Sequence, residues 1–204
     1  VQLVSRTSLN EVHEPWNDLI PNYELVNISV QNGFDLEFDI RCPDDVPRSE
    51  KSSVIHITID GLVYNRLPAV YFYPGERRMM VSYNQNITNY DSEVMRQQSI
   101  GMSIDEIYHV KISLDGNQLE FFVDGVTQGG PINIIGIPTF DIKAHVYTCH
   151  GHDGLPCALA QLRNMRYNNA ISAEYLHLTP LELEHVRAKH KIYENTIVLK
   201  GNTY

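Results

Sequence analysis

The stretch from Ile107 to Gly125, IYHVKISLDGNQLEFFVDG, constrains what this chain can fold into more tightly than any other. Val110, Ile112 and Leu114 alternate with Lys111 and Ser113, the period of a strand with one buried face. After Asp115-Gly116 a second apolar run, Leu119 to Val123, ends at another Asp-Gly. A tight turn between two such runs needs positive φ, which glycine supplies without steric cost, so the stretch reads as an antiparallel hairpin.

Similar signals recur along the chain. Leu25 to Val30 alternates loosely, and after Asn32-Gly33 the residues Phe34, Leu36, Phe38 and Ile40 fall on one face of a stricter strand. Val54 to Ile59 follows and stops at Asp60-Gly61. Ala69 to Tyr73 and Met79 to Tyr83 flank Pro74-Gly75-Glu76, a further hairpin, and Phe140 to Thr148 and Ala158 to Tyr167 complete the series. Eight or nine short strands separated by turn residues predict two antiparallel sheets packed face to face, and no helical period interrupts them to suggest a βαβ architecture.

At 204 residues an all-β chain buries a full core as one domain. Sixteen basic against 25 acidic residues give a net charge of −9, and no basic cluster is denser than Arg187 to Lys191. That balance argues against nucleic acid and anionic membranes as partners. No apolar run approaches the roughly 20 residues of a membrane helix, so no membrane insertion is expected. The start at Val1, without methionine or a charged-then-apolar leader, reads as a processed or trimmed product.

Of three cysteines, Cys149 and Cys157 bracket the short loop HGHDGLP, whose glycines and proline let the ends meet. A disulfide there would contribute about 2.5 kcal/mol by the chain-entropy relation. His150 and His152, with Cys149, Cys157 or His145, offer zinc-type side chains, but their spacing matches no recognised ligand pattern, and the disulfide-closed loop is the simpler reading. The sequons at Asn27 and Asn86 point to glycosylation and, with the disulfide, to an extracellular or surface-exposed protein of the secretory pathway.

Asn84 to Gly101 is rich in Asn, Ser and Gln and reads as a long surface loop holding an edge strand, the kind of segment that carries binding sites. After Asn168 the period changes. Thr179-Pro180-Leu181-Glu182 matches a capping box, and Leu183, Val186 and Tyr193 fall close to one helical face, predicting a C-terminal helix that packs on the sandwich.

The pairing of YHVKISLDGNQLEFFVDG with GFDLEFDIR and the later ALAQLRNMRYNN resembles the concanavalin A-like lectin and glucanase superfamily, laminin-G-like modules included. Its members carry a strand, an Asp-Gly turn, a strand ending in VDG, and a late strand of the form I-x-N-hydrophobic-x-Y. The resemblance spans Tyr23 to Asn169 and implies a jelly-roll sandwich. It divides the chain into an N-terminal arm (1–22), the sandwich (23–169) and a C-terminal helical extension (170–204). Activity does not follow from the fold, which hosts lectins, adhesion modules and glycosidases alike.

Three kinds of site present themselves. Asp35, Glu37 and Asp39 alternate along one strand, so carboxyls at i and i+2 share a face at a spacing near that of a retaining glycosidase, with Glu37 as acid or nucleophile. The order Asp-x-Glu-x-Asp nevertheless inverts the Glu-x-Asp-x-Glu of the superfamily's glucanases, and the one tryptophan, Trp16, is remote in sequence. Tyr64, Tyr71, Tyr73, Tyr83 and Tyr90 gather near Asn84, Asn86 and Asn89, supplying stacking faces and amides for a sugar, and Tyr83, Asn84, Asn89 and Tyr90 are the candidate ligand-binding residues. The superfamily's calcium-dependent members leave room for that ion, with Asp115, Asp124 or Asp153 as carboxylates, yet their spacing fits no known calcium loop; no metal ligand is assigned and no cofactor is expected. The chain has no G-x-S-x-G, H-E-x-x-H or phosphate-binding loop. The expected function is non-catalytic adhesion or recognition of a glycan or protein ligand through sandwich loops. The alternatives are a structural subunit of a larger assembly and, more weakly, a glycoside hydrolase.

Overall fold

The structure, a computed structural model, describes residues 15–30, 33–43, 48–59, 66–84, 93–134, 142–149, 155–169 and 194–196. Its strands in chain order are β1 (Asn17–Asp18), β2 (Tyr23–Val30), β3 (Phe34–Arg41), β4 (Ser52–Thr58), β5 (Ala69–Phe72), β6 (Met79–Asn84) and β7 (Glu93–Gln97). There follow β8 (Tyr108–Asp115), β9 (Gln118–Val123), β10 (Val126–Thr127), β11 (Ile132–Asn133), β12 (Ile142–Thr148), β13 (Gln161–Asn169) and β14 (Glu194–Thr196).

They form two antiparallel sheets. An eight-stranded sheet runs β1-β13-β3-β8-β9-β10, with β11 also on β9 and β14 also on β13; a six-stranded sheet runs β2-β12-β4-β5-β6-β7. Consecutive β2 and β3 belong to different sheets, so the chain passes from one sheet to the other between them rather than turning back as a hairpin. Every strand expected from the sequence is present, and the edge strand anticipated within Asn84 to Gly101 is β7.

Alternation fixes the core. Phe34, Leu36 and Phe38 are each 0% exposed, while Asp35, Glu37 and Asp39 between them face outward. From the neighbouring strands Val110, Ile112, Leu114, Leu119 and Phe121 point inward, and the second sheet supplies Ile55, Ile57, Val70, Phe72 and Val81. Each such side chain contributes about 1.5–3 kcal/mol through burial. The six-stranded sheet departs from simple alternation, because β4, β5 and β6 are buried on both faces.

The turns obey backbone geometry. β8 and β9 pair from Leu114 with Leu119 to Asp115 with Gln118, closed by Gly116 at φ 56°. Between β9 and β10 the loop is Asp124-Gly125 alone, with φ of 50° and 75°, the doubly positive conformation that matches strand twist and that Asp-Gly adopts readily.

Cys149 and Cys157 form the expected disulfide, and Cys42 is buried in the core outside it. The helix expected from Thr179 to Tyr193 lies outside the described residues, and no helix occurs among those described. Two strands from outside residues 23–169 join the sandwich at β13: β1 pairs with Gln161 and Leu162, and β14 with Arg166 to Asn168.

Candidate functional site

The carboxylate row of β3 lies on the outward face of the eight-stranded sheet, directly paired with β8. Lys111 Nζ stands 3.0 Å from Asp35 and 3.6 Å from Glu37, so one ammonium bridges both carboxylates. Partial burial alone would lower the Lys111 ammonium, but these two partners hold it above its ordinary range. Asp39 is held more firmly: His109 Nδ1 lies 3.0 Å from one oxygen, while Arg163 Nε and Asn164 Nδ2 donate to the other at 3.2 and 2.7 Å. Successive residues of a regular strand point to opposite faces. Arg163 and Asn164 reach one carboxylate because β13 bulges there, with Asn164 at φ 52°. Desolvation works to raise the Asp39 carboxyl, but these hydrogen bonds outweigh it and hold the group below its ordinary value.

Trp16 also corrects the sequence reading. Its ring lies 4.4 Å from the Arg163 guanidinium and 4.6 Å from that of Arg41, at the end of the carboxylate row and far from remote in space. The ring is thus engaged by cations, and the row reads as a satisfied ion-pair surface.

The tyrosines do not form one surface. Tyr83 points into the core, 1% exposed, stacked at 6.4 Å on Phe34, which stacks in turn at 5.5 Å on Tyr167. Burial drives the Tyr83 phenol upward in pKa, and its hydroxyl has no hydrogen-bond partner among the described residues. Presenting this ring to a sugar would require opening the sandwich, so Tyr83 is not placed as a surface ligand group. Asn84, its neighbour in β6, lies on the opposite face and is buried as well. Tyr71 shares that outer face of the six-stranded sheet, with Lys51 Nζ 3.9 Å from its ring centroid and the His56 ring edge-on at 6.5 Å. Tyr64, Asn86, Asn89 and Tyr90 lie outside the described residues. Asn27 lies in β2, paired with His145.

An open cleft forms elsewhere, at the seam where the edge of one sheet meets the edge of the other. After β7 the chain runs along Gln98, Ser99, Ile100, Gly101 and Ser103, and the β9-β10 turn brings Val123, Asp124, Val126 and Gln128 opposite, with Tyr108 at the base. The volume is about 370 Å³. Gln128 ties the walls together, accepting from Ser99 N–H at 2.9 Å while its amide donates to the Val126 carbonyl. Ile100 and Val126 are 79% and 64% exposed, two aliphatic side chains held open to solvent.

The polar groups are placed as firmly. Asp124 Oδ1 accepts the His109 N–H at 2.8 Å, which fixes its carboxylate at the turn. Tyr108 donates its hydroxyl hydrogen to Glu106 and accepts from Ser103 N–H. Gln98 is 4% exposed, and its Oε1 accepts from Met79 N–H at 3.1 Å, leaving the Nε2 amide as its remaining donor. Sequence reading reached this site only in part. It marked the segment ending at Gly101 as a binding loop and Asp124-Gly125 as a turn, but no local pattern says that the two converge.

Among the described residues no group of three or more His, Cys, Asp or Glu side chains is arranged to hold a metal ion. Cys149 and Cys157 spend their sulfurs on the disulfide, which removes them from any zinc set. No helix among the described residues is long and apolar enough to cross a membrane.

The sequence matches no protein-family model. It matches no curated protein either. Solved structures are similar in fold. A Trypanosoma rangeli sialidase superposes with a TM-score of 0.50 at 18% identity, over 70% of this chain and 21% of that one. Alginate lyase A1-II′, of polysaccharide lyase family 7, gives 0.48 at 16% identity over 71% and 65%. A SAP-like pentraxin from Limulus polyphemus gives 0.46 at 10% identity over 78% and 71%. The chain therefore spans about a fifth of the sialidase's length and 65% of the lyase's. With its two antiparallel sheets packed face to face, the chain has a jelly-roll sandwich fold.

Proposed function

We propose that this chain is a non-catalytic recognition module that binds a saccharide in the cleft between the Gln98 to Ser103 segment and the β9-β10 turn. The observation that carries the reading is the pairing of exposed aliphatic walls, Ile100 and Val126, with fixed hydrogen-bonding groups, Gln98 and Asp124, in one solvent-open site. A pyranose presents apolar C–H patches bordered by hydroxyls, and this arrangement is complementary to both. The carboxylates of β3 support no competing hydrolytic role, since each is committed to a cation or a hydrogen-bond cluster. The Cys149 to Cys157 disulfide supports an extracellular or surface-exposed setting, where such bonds persist.

The test is calorimetric titration of the purified chain with a panel of neutral, acidic and amino oligosaccharides. Binding by at least one class is expected, weakened about tenfold when Ile100 and Val126 are both replaced by alanine, since two exposed contacts of under 1 kcal/mol each are lost. A panel without any ligand, or an affinity indifferent to the double substitution, would overturn the proposal.

A further inference from the structure

We infer that the cleft selects a cationic saccharide, one bearing free amino groups, over neutral sugars and over those carrying uronate or sulfate. The inference rests on the glycan reading above and deepens it. Among the residues lining the cleft the charged one is Asp124, and none is Lys, Arg or His. The Tyr108 hydroxyl at the base is already turned to a second carboxylate, Glu106, 2.8 Å away, and Asp105 is exposed beside it. The chain as a whole carries −9.

An acidic sugar entering here would shed part of its hydration beside like charges, with no cation among the lining residues to compensate. An ammonium group would instead find the Asp124 carboxylate. Its Oδ1 is taken by the His109 N–H, and Oδ2 has no hydrogen-bond partner among the described residues. Such a charge-assisted bond is about twice as strong as a neutral one. The Gln98 amide, held in an almost fully buried side chain whose Oε1 is occupied, supplies the donor for a neighbouring hydroxyl. Ile100 and Val126 lie against the ring carbons. The site therefore offers one anion, one neutral donor and two apolar walls, the chemistry of an amino sugar.

The experiment compares fully deacetylated glucosamine oligomers, the N-acetylated oligomers of equal length and uronate oligomers, each at low and high salt, on the native chain and on Asp124→Asn. Asparagine tolerates the positive φ of this turn and keeps an oxygen for the His109 N–H. The deacetylated oligomer is expected to bind tightest, about tenfold above the acetylated one, the advantage shrinking with salt and vanishing in Asp124→Asn. Equal or better binding of neutral or uronate oligomers would overturn the inference and leave the glycan reading standing. Failure of every oligosaccharide would bring down the glycan reading itself. Capture of a lysine-rich peptide with no response to glucosamine oligomers would overturn the inference by making the ammonium donor a protein.

Discussion

His109 and Asp39 face each other at a directly paired register position of β8 and β3, imidazole Nδ1 3.0 Å from the carboxylate. The same Asp39 gathers Arg163 and Asn164 from β13, so a single carboxylate pins three strands of the outer sheet face.

Because these contacts hold the folded-state pKa of Asp39 below its ordinary value of 3.8, the group contributes stability that is fully present above that value and is lost as pH falls through the lowered one. Asp39→Asn should therefore cost about 1.5–3 kcal/mol near neutrality, the range for hydrogen bonds to a charged group. The gap from the native chain should narrow as urea unfolding is repeated at increasingly acid pH below 3.8. A gap that is constant with pH would refute the assignment.

Tyr83→Phe removes a buried hydroxyl that has no hydrogen-bond partner among the described residues, while keeping the ring stacked on Phe34. Stability should be unchanged or higher, by up to about 1 kcal/mol, because an uncompensated polar group leaves the core. Saccharide affinity should not change. A destabilised Tyr83→Phe protein in thermal unfolding would reveal a partner for the hydroxyl.

Replacing Cys149 and Cys157 together by alanine should lower stability by about 2.5 kcal/mol, the loop-closure entropy of a short ring. Reducing agent should depress the native chain's unfolding temperature and leave the double variant's unaltered. Equal sensitivity of both proteins to reductant would contradict the expectation.

Gly125→Ala isolates a purely conformational cost. A Cβ at this position meets nothing within 4 Å, yet φ is 75°. Chemical denaturation should show a loss of about 1 kcal/mol. Saccharide affinity should fall as well, because Asp124 and Val126 on either side line the cleft. Unchanged binding would place the ligand elsewhere.

What the sequence made legible follows from where water lies. In β3 and β8 one face is solvated, so Phe34, Leu36, Phe38 and Val110, Ile112, Leu114 announce both strand and core. In β4 to β6 both faces are buried, and alternation could not say that Tyr83 faces inward while Asn84 faces the other way. The cleft was opaque for a further reason. Gln98 and Asp124 come from the edges of different sheets, and their approach depends on how the two layers stack, which no local period encodes. Trp16 became a neighbour of Arg163 in the same manner, through the pairing of β1 with β13.

β1 and β14 attach side by side to one margin of β13, the other margin being occupied by β3. Laid against that margin, the two segments take up backbone groups of β13 that would otherwise form an open sheet edge, the kind of surface on which another chain can add a strand.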